Sequence, residues 1–160
     1  NYLGARAIAT DLLPSRIEKA LQIGAMAAFD ARDPDLAEKI QGLTNGMGVD
    51  VSLLAVPSDK AFFQALDCTR KGGKILFFAE FPDELEIPIN PNVIYRREID
   101  LLGSYSSSYW LQKLSADIVF NKRIDVDALV SDRYPLSELS HAVAQAVKPG
   151  PDTYKILIYP

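Results

Sequence analysis

Between Ala5 and Arg16 a short apolar run ends in an acid, and a proline-started helix follows at once: Ala-Arg-Ala-Ile-Ala-Thr-Asp-Leu-Leu-Pro-Ser-Arg. Arg6 to Thr10 reads as a strand, with Asp11 at its carboxyl end. Pro14 suits the first turn of a helix, where its missing N–H is one that the helix would leave unpaired anyway. Ile17, Ala20 and Leu21 give the 3–4 spacing of a buried face, and Gly24 ends it. Ahead of the strand, Asn1 to Ala5 reads as the tail of a helix stopped by Gly4.

The same alternation continues along the chain. Ala27 to Phe29 is a second short strand. Asp33-Pro34 is a cap-plus-proline start for a helix with Leu36, Ile40 and Leu43 on its apolar face. Asn45-Gly-Met-Gly48 breaks the chain. Val49 to Val56 is nearly continuous apolar sequence, which predicts a strand covered on both faces. Ser58 is placed to cap a helix whose core residues are Phe62, Phe63 and Leu66, and Lys71-Gly72-Gly73 is expected to close it. Ile75 to Ala79 is another strand, and Pro82 to Pro91 is too irregular for a helix. Ile99 to Tyr105 is a strand. Ser106-Ser107-Ser108 then caps a helix with Trp110, Leu111, Leu114, Ile118 and Val119 on one side. Leu136 to Val147 is a last helix, stopped by Lys148-Pro149-Gly150, and Tyr154 to Tyr159 is a final strand.

Strand and helix in alternation mean an α/β fold: a Rossmann-type, doubly wound parallel sheet with right-handed crossovers. Ligands of such sheets sit at the carboxyl ends of the strands. The informative positions are therefore Asp11, Phe29-Asp30, Ala55-Val56-Pro57, Phe78-Ala79-Glu80 and Ser104-Tyr105-Ser106. An acid ending the second strand of a dinucleotide-binding fold accepts hydrogen bonds from the adenine ribose, and the glycine-rich turn lies about twenty residues before it. Ten residues precede Asp11 here. The expectation is a sheet lacking its first strand and glycine-rich turn. That strand would normally lie between those at Arg6 and Val49, so these 160 residues are expected to be a fragment.

Composition closes off several functions. The net charge of -4 argues against a nucleic-acid or anionic-membrane surface. No apolar run reaches the roughly 18 residues of a membrane span, and the N-terminus has no signal-peptide pattern. One cysteine allows no internal disulfide, which fits a reducing cytoplasm. One Cys and one His make no local metal cluster. Cys68 is expected to be a packing residue and His141 a surface one. Glu80, Asp83, Glu84 and Glu86 read as a solvated acidic loop, and Trp110 with Leu114 as core.

Several segments in order carry a family pattern. They are Ile-Ala-Thr-Asp11 with Arg16 and Leu21-Gln-Ile-Gly-Ala25; then Leu43-Thr-Asn-Gly-Met-Gly-Val-Asp-Val51 and Lys71-Gly-Gly-Lys-Ile75. Asn92-Val-Ile-Tyr-Arg-Arg-Glu98 leads into Leu102-Gly-Ser-Tyr105, and Arg123-Ile-Asp-Val-Asp-Ala-Leu129 precedes Tyr134-Pro-Leu-Ser-Glu-Leu139. Together they resemble the C-terminal, cofactor-binding half of zinc-dependent medium-chain dehydrogenases of the alcohol, threonine and sorbitol type. The resemblance covers essentially the whole chain.

The resemblance implies NAD-linked oxidation of a small-molecule alcohol or polyol by a cytoplasmic homo-oligomer, with subunit contact around Leu85 to Tyr105. It implies that Asp11 binds the adenosine ribose and favours NAD over NADP, with Arg16 beside the same ribose. Ala55, Val56, Phe78, Ala79 and Ser104 match strand ends on the nicotinamide side, and Lys155 matches a basic residue near the cofactor phosphates. Residues 1–130 would be a partial dinucleotide-binding domain, and 131–160 a helix and strand returning towards a catalytic domain. The family's catalytic zinc is held by residues upstream of this chain, so no catalytic residue and no metal ligand is expected here. Two departures put bulk beside the cofactor: Pro57 stands where the family usually has Gly, and Phe78-Ala-Glu-Phe81 replaces a glycine-rich stretch.

Other readings of the same residues stay open. One is a zinc-free quinone or enoyl reductase of the same superfamily, against which Asp11 and Tyr95-Arg-Arg-Glu98 both lean. Another is a non-catalytic nucleotide-sensing or dimerising module. A third is a methyltransferase-like fold, which also places an acid after its second strand.

Overall fold

A computed structural model describes residues 3–106 and 108–160. Asn1, Tyr2 and Ser107, which belong to the expected leading helix tail and the serine run, lie outside the described residues. The elements follow in the order β1 (Ile8–Asp11), α1 (Pro14–Gln22), β2 (Ala27–Asp30), α2 (Leu36–Leu43), β3 (Val49–Leu54), α3 (Asp59–Cys68) and β4 (Thr69–Phe77). They continue with α4 (Pro91–Arg97), β5 (Asp100–Gly103), α5 (Tyr109–Phe120), β6 (Val130–Pro135), α6 (Leu139–Val147) and β7 (Lys155–Tyr159). Strand and helix alternate throughout, and every strand pairing is parallel. Among the described residues the strands form three sheets, β1-β2, β3-β4-β5 and β6-β7.

The chain divides into two compact units. One is Asp33–Ser106, and the other combines Asn1–Arg32 with Ser107–Pro160. In the contiguous unit, α3 lays Phe62, Ala65 and Leu66 over Leu54 of β3 and Ile75 of β4, with Ile99 closing the cluster. Ile75 has no exposed surface at all. Burying side chains of this size contributes about 1.5–3 kcal/mol each. Ser58 caps α3 as its sequence position implies, its hydroxyl accepting from the Ala61 N–H. At the other end of α3 a group from α4 takes over. Arg97 donates from Nη1 to the Leu66 carbonyl at 2.7 Å and from Nη2 to the Thr69 carbonyl. A guanidinium there satisfies carbonyls that a helix C-terminus leaves orphaned, at its negative dipole end.

Several expectations are corrected. Lys71-Gly72-Gly73 does not close α3. The helix ends at Cys68, and these residues bulge within β4, whose pairing passes from Val49↔Thr69 to Val51↔Lys74. β3 is covered on one face only: Leu54 is buried, whereas Val51 and Leu53 on the alternate face are 54% and 55% exposed. Asp33-Pro34 makes a turn ahead of α2, with the Asp33 carboxylate accepting from the Asp35 N–H, and Asp35 takes the cap position. α5 forms where its periodicity places it, but Trp110, Leu111 and Leu114 lie on the surface rather than in a core.

Two elements escape the sequence reading. α4 has an Asn90 cap and Pro91 at its first position, a signal hidden among the neighbouring prolines. β6 alternates half-buried and exposed residues from Val130 to Arg133 and pairs with β7 across the α6 crossover. Beside it, Tyr134 hydrogen-bonds Gln145, whose Nε2 donates to the buried Thr153 hydroxyl.

The β3–β4 bulge needs two glycines. A Cβ on Gly48, whose φ is +97°, would stand 2.5 Å from the Cys68 carbonyl oxygen. One on Gly73 would stand 2.5 Å from the Thr69 methyl and 2.9 Å from the Arg70 carbonyl oxygen. Gly42, in α2, meets nothing within 4 Å. Gly48→Ala is therefore expected to lower stability by about 2–4 kcal/mol. Gly42→Ala is expected to raise it by about 0.5–1 kcal/mol through helix propensity. Urea unfolding of both variants checks the opposite signs.

Candidate functional site

Asp11 ends β1 in register with Asp30 at the end of β2, and both carboxylates turn into the loops that follow. Asp11 Oδ1 accepts from the Leu13 N–H at 2.9 Å, which shapes the turn into α1. Asp11 Oδ2 lies 3.9 Å from Arg16 Nη1, with the two side chains 33% and 40% exposed. This is a loose ion pair, and it leaves the carboxylate with lone pairs open to solvent. Asp30 is engaged differently. Arg32 grips it with Nε and Nη2, and hydrogen bonds from the Arg32 side chain and backbone hold its carboxyl down to about 2. Arg32 Nη2 also donates to the Leu12 carbonyl at 3.2 Å, and the Ala31 N–H donates to the Asp11 carbonyl. Arg32 thus pins the loop carrying Asp11. It went unnoticed in the sequence, although a basic residue two positions after a strand-end acid is a readable signal.

In the contiguous unit, the carboxyl ends of three parallel strands come together. The Leu54 carbonyl accepts from both the Phe78 and Ala79 N–H groups, so Ala55 and Val56 leave β3 beside Phe78 and Ala79. The Ser104 N–H donates to the Phe77 carbonyl, which brings Ser104 to the same edge. Val56 and Phe78 present more than half of their surface to solvent. Pro57 and the Glu80–Asp83 loop border a shallow recess of about 360 Å³ here.

Lys155 and Arg16, the remaining basic candidates, line one open groove of about 300 Å³. Lys19 and Tyr154 line it with them, over a floor of Ala20, Ile23 and Leu129. Lys19 and Tyr154 are additions to the sequence reading. Lys19 was legible, since it lies three residues after Arg16 on one helix face.

Each unit by itself offers a feature that fits part of a nucleotide cofactor: an accessible acid at the end of β1 in the split unit, and exposed apolar side chains at the strand ends of the contiguous unit. Zinc finds no such fit, because the described residues contain no group of three or more His, Cys, Asp or Glu placed to hold a metal. Among the described residues no helix is long and apolar enough to cross a membrane.

Comparison with known proteins decides the family. The zinc-binding dehydrogenase model matches residues 1–119. The chain belongs to the zinc-binding dehydrogenase family. This zinc-binding dehydrogenase chain is 34% identical over 157 residues to a sorbitol dehydrogenase of Bacillus subtilis, a match covering 96% of the chain and 43% of the relative. A D-arabitol-phosphate dehydrogenase of Enterococcus avium is 27% identical over 142 residues, or 88% of the chain and 40% of the relative. Among solved structures, a Clostridium scindens protein described as a zinc-binding dehydrogenase superposes with a TM-score of 0.87 at 22% identity. It covers 98% of the chain and 44% of its own length, and that likeness shows the fold. A similarly described Sinorhizobium meliloti structure, bound to NADP, gives a TM-score of 0.87 at 25% identity, covering 98% of the chain and 46% of its own. The chain spans less than half the length of these relatives.

Cys68 takes no part in this geometry. It is buried, and burial pushes its thiol up to about 11 from the ordinary 9.0, with the neighbouring Asp67 charge adding to the effect. It is expected to resist iodoacetamide at pH 8 in the folded protein and react on unfolding. The folded chain keeps this proton where the unfolded chain has lost it. Stability should hold below the ordinary thiol value and decline as pH rises towards about 11. Cys68→Ala should flatten that decline in thermal unfolding across the alkaline range.

Proposed function

We propose that this chain is the cofactor-holding part of an NAD(H)-linked dehydrogenase acting on a small alcohol or polyol, in a cytoplasmic homo-oligomer. The observation that carries the reading is the Asp11 carboxylate at the end of β1, partly exposed and only loosely paired. Such a group accepts two hydroxyl hydrogen bonds from a ribose and repels a 2′-phosphate. Arg16 would lie beside the same ribose, and Lys155 would supply positive charge to the cofactor phosphates.

Ala55, Val56, Phe78, Ala79 and Ser104 would form the wall against which a nicotinamide ring is oriented. Their apolar surface would exclude water from one ring face. A bound nicotinamide supplies the hydride acceptor for alcohol oxidation. Pro57 and Phe78 bring bulk to this wall, so a ring seated there is expected to be held by apolar contact more than by backbone approach.

The Leu85–Tyr105 stretch is the proposed contact between copies. Its strand β5 is exposed along its whole length and pairs with β4 on one edge. An edge with unpaired backbone groups and apolar Leu101 and Leu102 is suited to strand addition by a second copy. Leu101→Lys is expected to shift the protein towards monomer in sedimentation velocity, whereas unchanged mass would remove this contact from the proposal.

Calorimetric titration of the full chain with NADH and with NADPH tests the cofactor reading. NADH is expected to bind more tightly than NADPH. Asp11→Ala is expected to weaken NADH by about tenfold to a hundredfold, the range for a hydrogen bond to a charged group. Tighter binding of NADPH would overturn the Asp11 assignment and favour a zinc-free reductase.

A further inference from the structure

Asp11 and Asp30 end neighbouring parallel strands in register, so their backbones stand side by side at about the 4.8 Å spacing of paired strands. Two like charges so close repel each other. Two guanidiniums offset them, and they do so unequally. Arg16 reaches Asp11 only at 3.9 Å. Arg32 grips Asp30 through Nε at 2.9 Å and Nη2 at 2.6 Å, and its backbone N–H donates to the same carboxylate at 2.8 Å.

Arg32 also stands close to the residues that follow Asp11. Its Nη2 lies 3.2 Å from the carbonyl oxygen of Leu12, the next residue in the chain. Its side chain is 65% exposed, so the guanidinium is open to a ligand arriving from solvent. The Asp30 carboxyl, held down to about 2 chiefly by the Arg32 side-chain hydrogen bonds, is charged throughout the neutral range. The grip is therefore unaffected by pH near neutrality.

The two nicotinamide dinucleotides differ at the adenosine ribose, where one carries a 2′-hydroxyl and the other a 2′-phosphate. An acid favours the first, and a nearby arginine accommodates the second. We infer that Asp30 is a second determinant of cofactor choice: it keeps the Arg32 guanidinium occupied beside the Asp11 loop, so that no free arginine there meets a 2′-phosphate. While Asp30 is charged, its oxygens fill the Arg32 fork, and a phosphate would have to displace them. Without that charge the fork is released, and it matches phosphate oxygens as well as it matches carboxylate ones. The inference rests on the proposal that the Asp11 end of β1 holds the cofactor ribose, and it brings in two residues which that proposal does not use. The phosphates that bridge the two nucleotides are common to both cofactors and take no part in the choice.

The test is a calorimetric titration of the full chain with adenosine 5′-monophosphate and with adenosine 2′,5′-bisphosphate, which differ by the 2′-phosphate alone. Asp30→Asn removes the charge and keeps an oxygen for the Arg32 N–H that shapes the turn. It is expected to raise bisphosphate affinity at least about fivefold and to leave monophosphate affinity within about twofold. Asp30→Ser, which also keeps an oxygen there, repeats the measurement in a second background. Arg32→Met added to Asp30→Asn is expected to return the bisphosphate to its wild-type affinity. Unchanged bisphosphate affinity in both Asp30 variants, or a gain that survives Arg32→Met, would overturn the inference; with the monophosphate still bound, the Asp11 reading would stand. Failure of the wild-type chain to bind either ligand would sink the Asp11 reading, and this inference with it.

Discussion

The seat of α3 across β3 and β4 is the contact on which the contiguous unit depends. Ile75 is wholly enclosed there, and the helix brings Phe62, Ala65 and Leu66 down onto it. This approach works only because the chain passes Cys68 and Thr69 with no side chain at Gly48 or Gly73. It also needs Arg97 to receive the carbonyls at the helix end. Apolar packing sets the energy, and two missing Cβ atoms and one guanidinium set the geometry. The ends of β3, β4 and β5 are aligned as a consequence, so the wall proposed for the nicotinamide inherits its precision from the core beneath it.

Asp11 owes its position to different forces. β1 is short and half-buried, so its end is fixed by hydrogen bonds rather than by a deep core. Its own carboxylate holds the Leu13 N–H, and Arg32 ties Leu12 to the end of β2. The Arg32–Asp30 pair is largely open to solvent and contributes little to stability. Its value lies in orientation, because it aims the Arg32 guanidinium at the Leu12 carbonyl. Beyond the Leu13 N–H, the Asp11 carboxylate has one loose charged partner, Arg16, a condition for accepting hydroxyl groups from a ligand.

Much of this was legible in the sequence, because periodicity and punctuation report local structure well. Ser58 as a cap, Pro14 at the start of α1 and Asp11 at a strand end all follow from residue chemistry within a few positions. What was not legible depends on partners distant in sequence. Lys71-Gly72-Gly73 has the look of a helix stop, and only pairing with Val49 and Val51 turns it into a bulge. Val49 to Val56 reads as a doubly covered strand because composition cannot tell which face has a neighbour. Trp110 and Leu114 show the reverse case: helical spacing foretold the helix, but not whether anything packs on it. The cationic groove was missed because Lys19 and Tyr154 are brought together across most of the chain.

The division of the chain into one contiguous and one split unit also bears on the order of folding. The unit Asp33–Ser106 closes on segments near one another in sequence, and its strands pair through crossovers of short span. The other unit joins the two ends of the chain, and its bonds from Ser15 to Pro151 and from Tyr154 to Ser15 span 136 and 139 residues. Loop closure of that length carries a larger entropic cost, and contacts of high sequence separation form slowly. During synthesis the contiguous unit has all its residues before the split one can begin to close. The groove beside α1 is therefore among the last features to take shape, while the strand ends of the contiguous unit are set early.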